Sequence, residues 1–154
     1  MGTHHEGSDD EVRALDTYIK LMRCVAVLNS ATQRWLAEHK LTTSQLGVLE
    51  ALMHLGPMCQ RDVGRKLLLS GGNITTVVNN LERRGLVQRI RSKEDRRFVR
   101  LELTPDGDRL IREVFPGHAR NITELLGGLD ADGQEQLGAL CRTLGRAIES
   151  SQDS

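Results

Sequence analysis

Between residues 10 and 39 the apolar positions Leu15, Ile19, Met22, Val25, Val27, Leu28 and Leu36 recur at helical spacing, which predicts one long helix. Residues 1–9 lack any such pattern and are expected to be disordered. The run "HKLTTSQ" breaks the period, and Thr43 or Ser44 is placed to cap a second helix. That helix is apolar at Leu46, Val48, Leu49, Leu52, Met53 and Leu55, so it is buried on most sides. Gly56 and Pro57 stop it. A short helix over about 60–68 turns Val63, Leu67 and Leu68 inward. The next helix, about 71–84, is ended by Gly85 at the C′ position.

The period then changes. Val87, Ile90, Val99, Leu101 and Leu103 alternate with arginines and polar residues, as in two strands joined by the charged loop "RSKEDRR", with Phe98 opening the return strand. After "LTPDG" the helical period returns at Leu110, Ile111, Val114, Phe115, Ile122, Leu125 and Leu126, with Pro116 as a candidate kink. "GGLDADG" is a turn, and Asp130 can cap a last helix through Leu137, Leu140, Leu144 and Ile148.

These elements give a mainly α fold with a small β-hairpin. A winged helix-turn-helix lobe over 40–104 is flanked by helices over 10–39 and 105–150. The flanking helices are too long to bury their apolar faces on so small a lobe. They fit a dimer interface built from both ends of the chain; a monomeric bundle is the alternative.

The helix over 71–84 carries the strongest chemical signal. Ile74, Val77, Val78 and Leu81 form one apolar stripe. The other face holds Asn73, Thr76, Asn80 and Arg83, flanked by Thr75 and Asn79, with Glu82 its single acid. Asn and Thr are poor helix formers, and an ordinary surface helix favours Glu and Lys. Major-groove base edges want such groups: Asn matches adenine, Arg matches guanine, and Thr offers a hydroxyl and a methyl. The helix opens on Ser70, Gly71 and Gly72. Ser70 can cap it, and the glycines remove side chains where N–H groups could meet a phosphate.

Charge sharpens the reading. The chain is neutral overall, but 60–100 carries 11 basic and 4 acidic groups, whereas 1–59 carries 5 and 7 and 101–154 carries 5 and 10. A basic centre between acidic ends is the footprint of a polyanion-binding module. The hairpin concentrates Arg91, Lys93, Arg96, Arg97 and Arg100, which can follow the DNA backbone or enter the minor groove. Asp95 can pair with Arg97 and stiffen the tip.

Other classes find little support. The sequence has no run of about 18 apolar residues, so no membrane helix is expected, and the N-terminus has no secretory pattern. Cys24, Cys59 and Cys141 are far apart, without a CxxC pair, so no metal site or cofactor is expected. Each cysteine reads as a small buried residue in a reducing cytoplasm. No catalytic pairing or phosphate loop is present, so an enzyme is not expected.

"LERRGLVQR" followed by "EDRRFVRLELTPDG" resembles the MarR family of bacterial winged-helix regulators. That family's wing signature is Asp-x-Arg, five residues, then Leu-Thr; Asp95, Arg97, Leu103 and Thr104 have this spacing. "LTTSQLGVLEAL" resembles the family's second helix, and the resemblance spans about 12–148. It implies a homodimer on a pseudo-palindromic double-stranded DNA operator, usually as a repressor. Residues 70–83 would then read the major groove and Arg97 would reach the minor groove. Members often carry Arg where this chain has Thr76 and Asn80, which points to a less guanine-directed readout. "SGGNIT" resembles a branch that includes quinone- and hydroquinone-responsive repressors.

The resemblance also implies an effector pocket between the dimer helices and the DNA-binding lobe, open to phenolic, quinone or other small molecules. Cys24, Leu28, Leu49, Met53, His54 and Leu110 are the candidate wall residues. Cys59, just before a helix, is the better candidate for a reactive thiol than Cys24, which does not match the peroxide-sensing position near Tyr18. Cys141 reads as core.

Overall fold

The first helix, α1 (Asp9–Glu38), begins where the sequence supplies a capping box. The Ser8 side chain accepts from the Glu11 N–H, and the Glu11 carboxylate accepts from the Ser8 N–H at 2.8 Å. Asp9, Asp10 and Glu11 add favourable charge to the first turn. The computed structural model describes residues 2–91 and 99–152. Within the tail before α1, the Thr3 N–H donates to Asp16 Oδ1 at 3.1 Å.

Next come α2 (Thr43–Leu55), β1 (Met58–Cys59), α3 (Gln60–Lys66), α4 (Gly71–Arg83), β2 (Val87–Arg91), β3 (Val99–Leu103), α5 (Pro105–Leu126) and α6 (Ala131–Gln152). The cap of α2 is Thr42, one residue before the expected Thr43 or Ser44. Thr42-x-x-Gln45 makes a second capping box, and only Thr42 has a Gln three residues on. The strand β1 was not expected, because two residues carry no period. It pairs Met58 with Leu101 and Cys59 with Arg100, giving an antiparallel sheet of order β1-β3-β2.

In the hairpin, Val87 pairs with Leu103, Arg89 with Leu101 and Arg91 with Val99. A strand has period two, so these six share one face, and Ile90 with Arg100 lies on the other. The expected grouping of Val87 with Ile90 is therefore corrected: Val87 is buried and Ile90 exposed.

Three helices end in the same way. In α1, α3 and α4 the C″ N–H reaches back to the C3 carbonyl: Leu41 to Leu36, Leu69 to Gly64, and Leu86 to Leu81. The C′ N–H reaches C2: Lys40 to Ala37, Leu68 to Arg65, and Gly85 to Glu82. This is the Schellman motif, which forces positive φ at C′. The angles are 55° at Lys40, 54° at Leu68 and 70° at Gly85. Leu68 was expected inward, but it is exposed, because the left-handed turn swings it off the core.

The core joins Leu36 of α1, Val48 and Leu49 of α2, Val63 of α3, Val78 and Leu81 of α4, Val87, Leu101 and Ile111. Gly107 lets α5 approach the sheet: a Cβ there would meet the Leu86 carbonyl oxygen at 1.9 Å.

The chain divides into two compact units, Met1–Ala119 and Arg120–Ser154. The division falls inside α5, and Ile111 and Val114 belong to the first unit's core. Pro116 sits within α5, which continues beyond it. In the second unit Asp130 Oδ1 accepts from the Gly133 N–H at 2.8 Å, as expected for the start of α6. Leu137, Leu140, Leu144 and Ile148 of α6 are all exposed. In the first unit, Leu15, Tyr18, Met22 and Val25 make an exposed stripe along α1. The expectation of buried cysteines is corrected accordingly. Cys24 and Cys141, on these open helices, are exposed, and Cys59 is half-buried.

Candidate nucleic-acid interface

The α4 helix is amphipathic because its apolar residues recur at i, i+4 and i+7: Ile74, Val78 and Leu81 are buried, and Val77 is half-buried. At 100° per residue, Gly72, Thr76, Asn79 and Arg83 then point furthest from the core, and all are exposed. Ser70, Gly71, Asn73 and Thr75 are exposed as well. Ser70 caps the helix, accepting from the Asn73 N–H at 3.3 Å. The Thr75 and Thr76 hydroxyls donate back to the Gly71 and Gly72 carbonyls at 2.9 and 3.1 Å. Their hydroxyl protons are therefore committed, which leaves each Oγ1 to act as an acceptor. Neither glycine has positive φ, and a Cβ on either would meet nothing within 4 Å. Nothing among the described residues requires glycine at these two positions.

Asn80 sits differently from its neighbours. It is half-buried, and its Oδ1 accepts from Gln45 Nε2 at 2.7 Å. The Gln45 Oε1 accepts in turn from the Thr42 N–H at 2.9 Å and from Arg84 Nη1 at 3.3 Å. One buried amide thus caps α2 and fixes α4 against it. The Asn80 amide is thereby held in a fixed position.

A second polar network lies on the opposite flank. Arg89 occupies a core-facing register position in β2, where an unpaired charge would be costly. It pairs with Glu82, donates to Asn79 Oδ1 at 2.7 Å, and reaches Gln60 Oε1 at 3.2 Å. Gln60 Nε2 then donates to Thr75 Oγ1 at 3.0 Å. Sheet, α3 and α4 are clamped through one guanidinium. Sequence reading missed Arg89, Gln60 and Gln45; an arginine at the i+2 position from buried Val87 was the available signal.

The wing's base is built by Thr104. Its N–H donates to the Leu86 carbonyl at 3.1 Å, its hydroxyl donates to the Gly85 carbonyl at 2.6 Å, and its Oγ1 accepts from the Gly107 N–H at 3.0 Å. One threonine therefore closes the hairpin, holds the end of α4 and caps α5. Arg91 and Arg100 are exposed on opposite faces of the hairpin. Lys93, Asp95, Arg96 and Arg97 lie outside the described residues.

The expected effector-pocket residues do not meet in one cavity. Leu49 is fully buried in the core, Leu28 and Leu110 are half-buried, and Cys24 is exposed. Met53 lines a cavity of about 420 Å³ with Leu52, Leu103, Thr104, Pro105 and Arg112. His54 lines a separate groove of about 310 Å³ with Gly47, Glu50 and Lys66. Arg112 is held by Asp108 at 2.8 Å, and this contact raises its pKa. Cys59 is the N-cap of α3, and its side chain makes no capping bond.

A histidine and aromatic row was also missed. Trp35 stacks on His39 at 4.2 Å and lies 5.9 Å from His118. Phe115 lies 6.2 Å from His118 and meets His54 edge-on at 5.2 Å. Burial lowers the His118 pKa, and Glu50 partly opposes this. Its Nδ1 is buried without a hydrogen-bond partner among the described residues. Among the described residues no group of His, Cys, Asp and Glu could hold a metal ion, and no helix is long and apolar enough to cross a membrane.

A family model for the MarR family matches residues 39–97. The chain is 33% identical over 139 residues to the HTH-type transcriptional regulator YkoM of Bacillus subtilis, covering 90% of each chain. The chain belongs to the MarR family. It is a DNA-binding, winged-helix transcriptional regulator, and its relatives are regulators rather than enzymes. A second MarR-family relative, the HTH-type transcriptional regulator MhqR of Bacillus subtilis, is 32% identical over 133 residues, covering 86% of this chain and 92% of that one. Among solved structures it resembles BpsR of Bordetella bronchiseptica, described for regulation of its DNA binding by 6-hydroxynicotinic acid. That likeness has a TM-score of 0.77 at 27% identity, covering 84% of this chain and 98% of that one.

Proposed function

We propose that this MarR-family regulator is a cytoplasmic, homodimeric repressor that binds a pseudo-palindromic operator and is released by a small-molecule effector. The observation that carries the reading is the outer face of α4. It is polar, exposed and almost free of acid, on a helix clamped from both flanks. In this reading Ser70, Gly71 and Gly72 meet the backbone. Asn73, Thr75, Thr76, Asn79 and Arg83 face base edges, and Asn80 contributes its amide donors. Arg91, Lys93, Arg96, Arg97 and Arg100 follow the backbone and minor groove, with Asp95 stiffening the wing tip.

The exposed stripes on α1 and α6 support the dimer, since each repeats at helical spacing and covers several turns. The 420 Å³ cavity supports an effector site. Its wall includes Met53 of α2 and Leu103 and Thr104 at the wing's foot, so a ligand there touches the parts that position α4. A ligand such as a phenolic or quinone acts by preferring the conformer that binds DNA poorly. BpsR, whose DNA binding responds to 6-hydroxynicotinic acid, supports such an effector class. A thiol reading at Cys59 is kept only as the contrast to be tested.

The test is enrichment of duplexes from a random-sequence pool, followed by titration at several salt concentrations. The expected outcome is a two-fold repeat with half-sites about one helical turn apart and a steep loss of affinity with salt. Arg97→Ala should bind several-fold more weakly, and Leu140→Glu with Leu144→Glu should give monomers in sedimentation. An enriched site without two-fold symmetry would refute the dimeric reading. Adding a phenolic acid, a quinone or an oxidant to parent and Cys59→Ser separates ligand from thiol control.

A further inference from the structure

We propose that Leu68 is a specificity contact to DNA, an apolar side chain that meets a thymine methyl beside the start of α4. The inference rests on the DNA-binding reading of α4. Three helices end in the same Schellman motif, with Lys40, Leu68 and Gly85 at the left-handed position. Glycine fits that position without strain, as at Gly85. A lysine there keeps its charge in water. Leucine has neither excuse: it is strained by φ 54° and is 84% exposed, the most exposed large apolar residue described. Leu67 and Leu69 beside it pack against the core, so the outward turn of Leu68 is not a failure of local packing. Strain combined with exposure is retained where something outside the chain uses the side chain.

The surroundings name the partner. Leu68 stands two residues before the Ser70 cap and close in sequence to bare Gly71 and Gly72. Arg65 and Lys66 just before it are exposed. Leu55 is also exposed and shares a groove with Glu50, His54, Lys66 and Leu67, so the apolar surface beside Leu68 is broken up by charged and polar groups, as a nucleic-acid contact requires. The major groove displays one apolar group, the thymine methyl.

The test uses a duplex enriched by the parent protein from a random pool, with each thymine replaced in turn by uracil, which lacks only that methyl. At one thymine per half-site the parent should lose about three- to fivefold in affinity, the worth of one buried methyl group. Leu68→Gly and Leu68→Asn should lose a similar factor on the thymine duplex and become insensitive to uracil there. Their melting temperatures should be unchanged or higher, since both residues tolerate the left-handed turn. Leu68→Met should keep the parent's discrimination. If Leu68→Gly binds as the parent does, or remains as sensitive to uracil, the proposal is overturned. A pool that yields no enriched duplex defeats the underlying DNA-binding reading instead.

Discussion

Gly71 and Gly72 are the residues whose role the structure changes most. Neither has positive φ and neither is crowded, so the fold itself would be better served by alanine. Replacing both with alanine should stabilise the protein by about 0.5–1 kcal/mol, seen as a higher melting temperature. The same variant should bind its operator more weakly, since two methyl groups then stand where the proposed interface brings the helix to the DNA backbone. A variant that gains stability and keeps full affinity would show that the glycines have no role in DNA binding. Gly107 is the opposite case. A Cβ at 1.9 Å from the Leu86 carbonyl forces α5 away from the sheet. Gly107→Ala should cost about 1–3 kcal/mol in denaturant unfolding, the usual range for overpacking. It should also weaken DNA binding, because Leu86 and Thr104 form the foot of the wing.

Among the elements, α4 is held both by its apolar stripe and by what flanks it. Burial of Ile74, Val78 and Leu81 fixes which face turns inward, but it leaves the polar groups of the outer face without a directional restraint. Directional bonds from Gln45 on one side and Arg89 on the other supply that restraint. Arg89→Met keeps the bulk of the side chain but leaves Glu82, Asn79 and Gln60 without their shared partner. We expect a loss of about 1–2 kcal/mol in stability, modest because the pair is partly solvated. We expect a larger relative loss in operator affinity, with the salt slope retained, since no phosphate contact is removed. Equal affinity for parent and variant would show that the clamp does not position the helix. Nothing in the period of β2 announces this clamp. An arginine two residues from a buried valine is its one local trace.

At the scale of the molecule, α1, α2 and α5 of the first compact unit meet at the rings of Trp35, His54, Phe115 and His118. Burial disfavours the charged form of His118, so its folded pKa lies below the ordinary value of 6.5. The unfolded chain therefore binds more protons in that window. The contribution is fully present above about pH 6.5 and is lost as pH falls through the folded pKa. Glu50 opposes the shift, and His39 and His54 share the row. Parent protein should melt at lower temperature at pH 5.5 than at pH 7.5, and His118→Gln should flatten that dependence. An equal slope in the variant would place the pH sensitivity elsewhere.

What the sequence determined by itself was carried by local periods and short signatures. The helix order followed from spacings such as Leu46, Leu49 and Met53, the end of α4 from Gly85, and the wing from alternation and the Asp95-x-Arg97 spacing. Those spacings also placed the chain in its family. Tertiary structure decided which polar groups α4 can present. Asn80 and Gln45 lie 35 positions apart, yet one amide holds the other. Arg89 reaches back to Gln60 across 29 positions. Leu68, apolar within an apolar run, turned outward because a Schellman end reverses the chain at that residue. A period reports which face of an element is apolar; it carries no information about which distant donor or acceptor meets the polar face. That pairing exists only once the core has brought the elements together, because hydrogen bonds are short and directional while burial is neither.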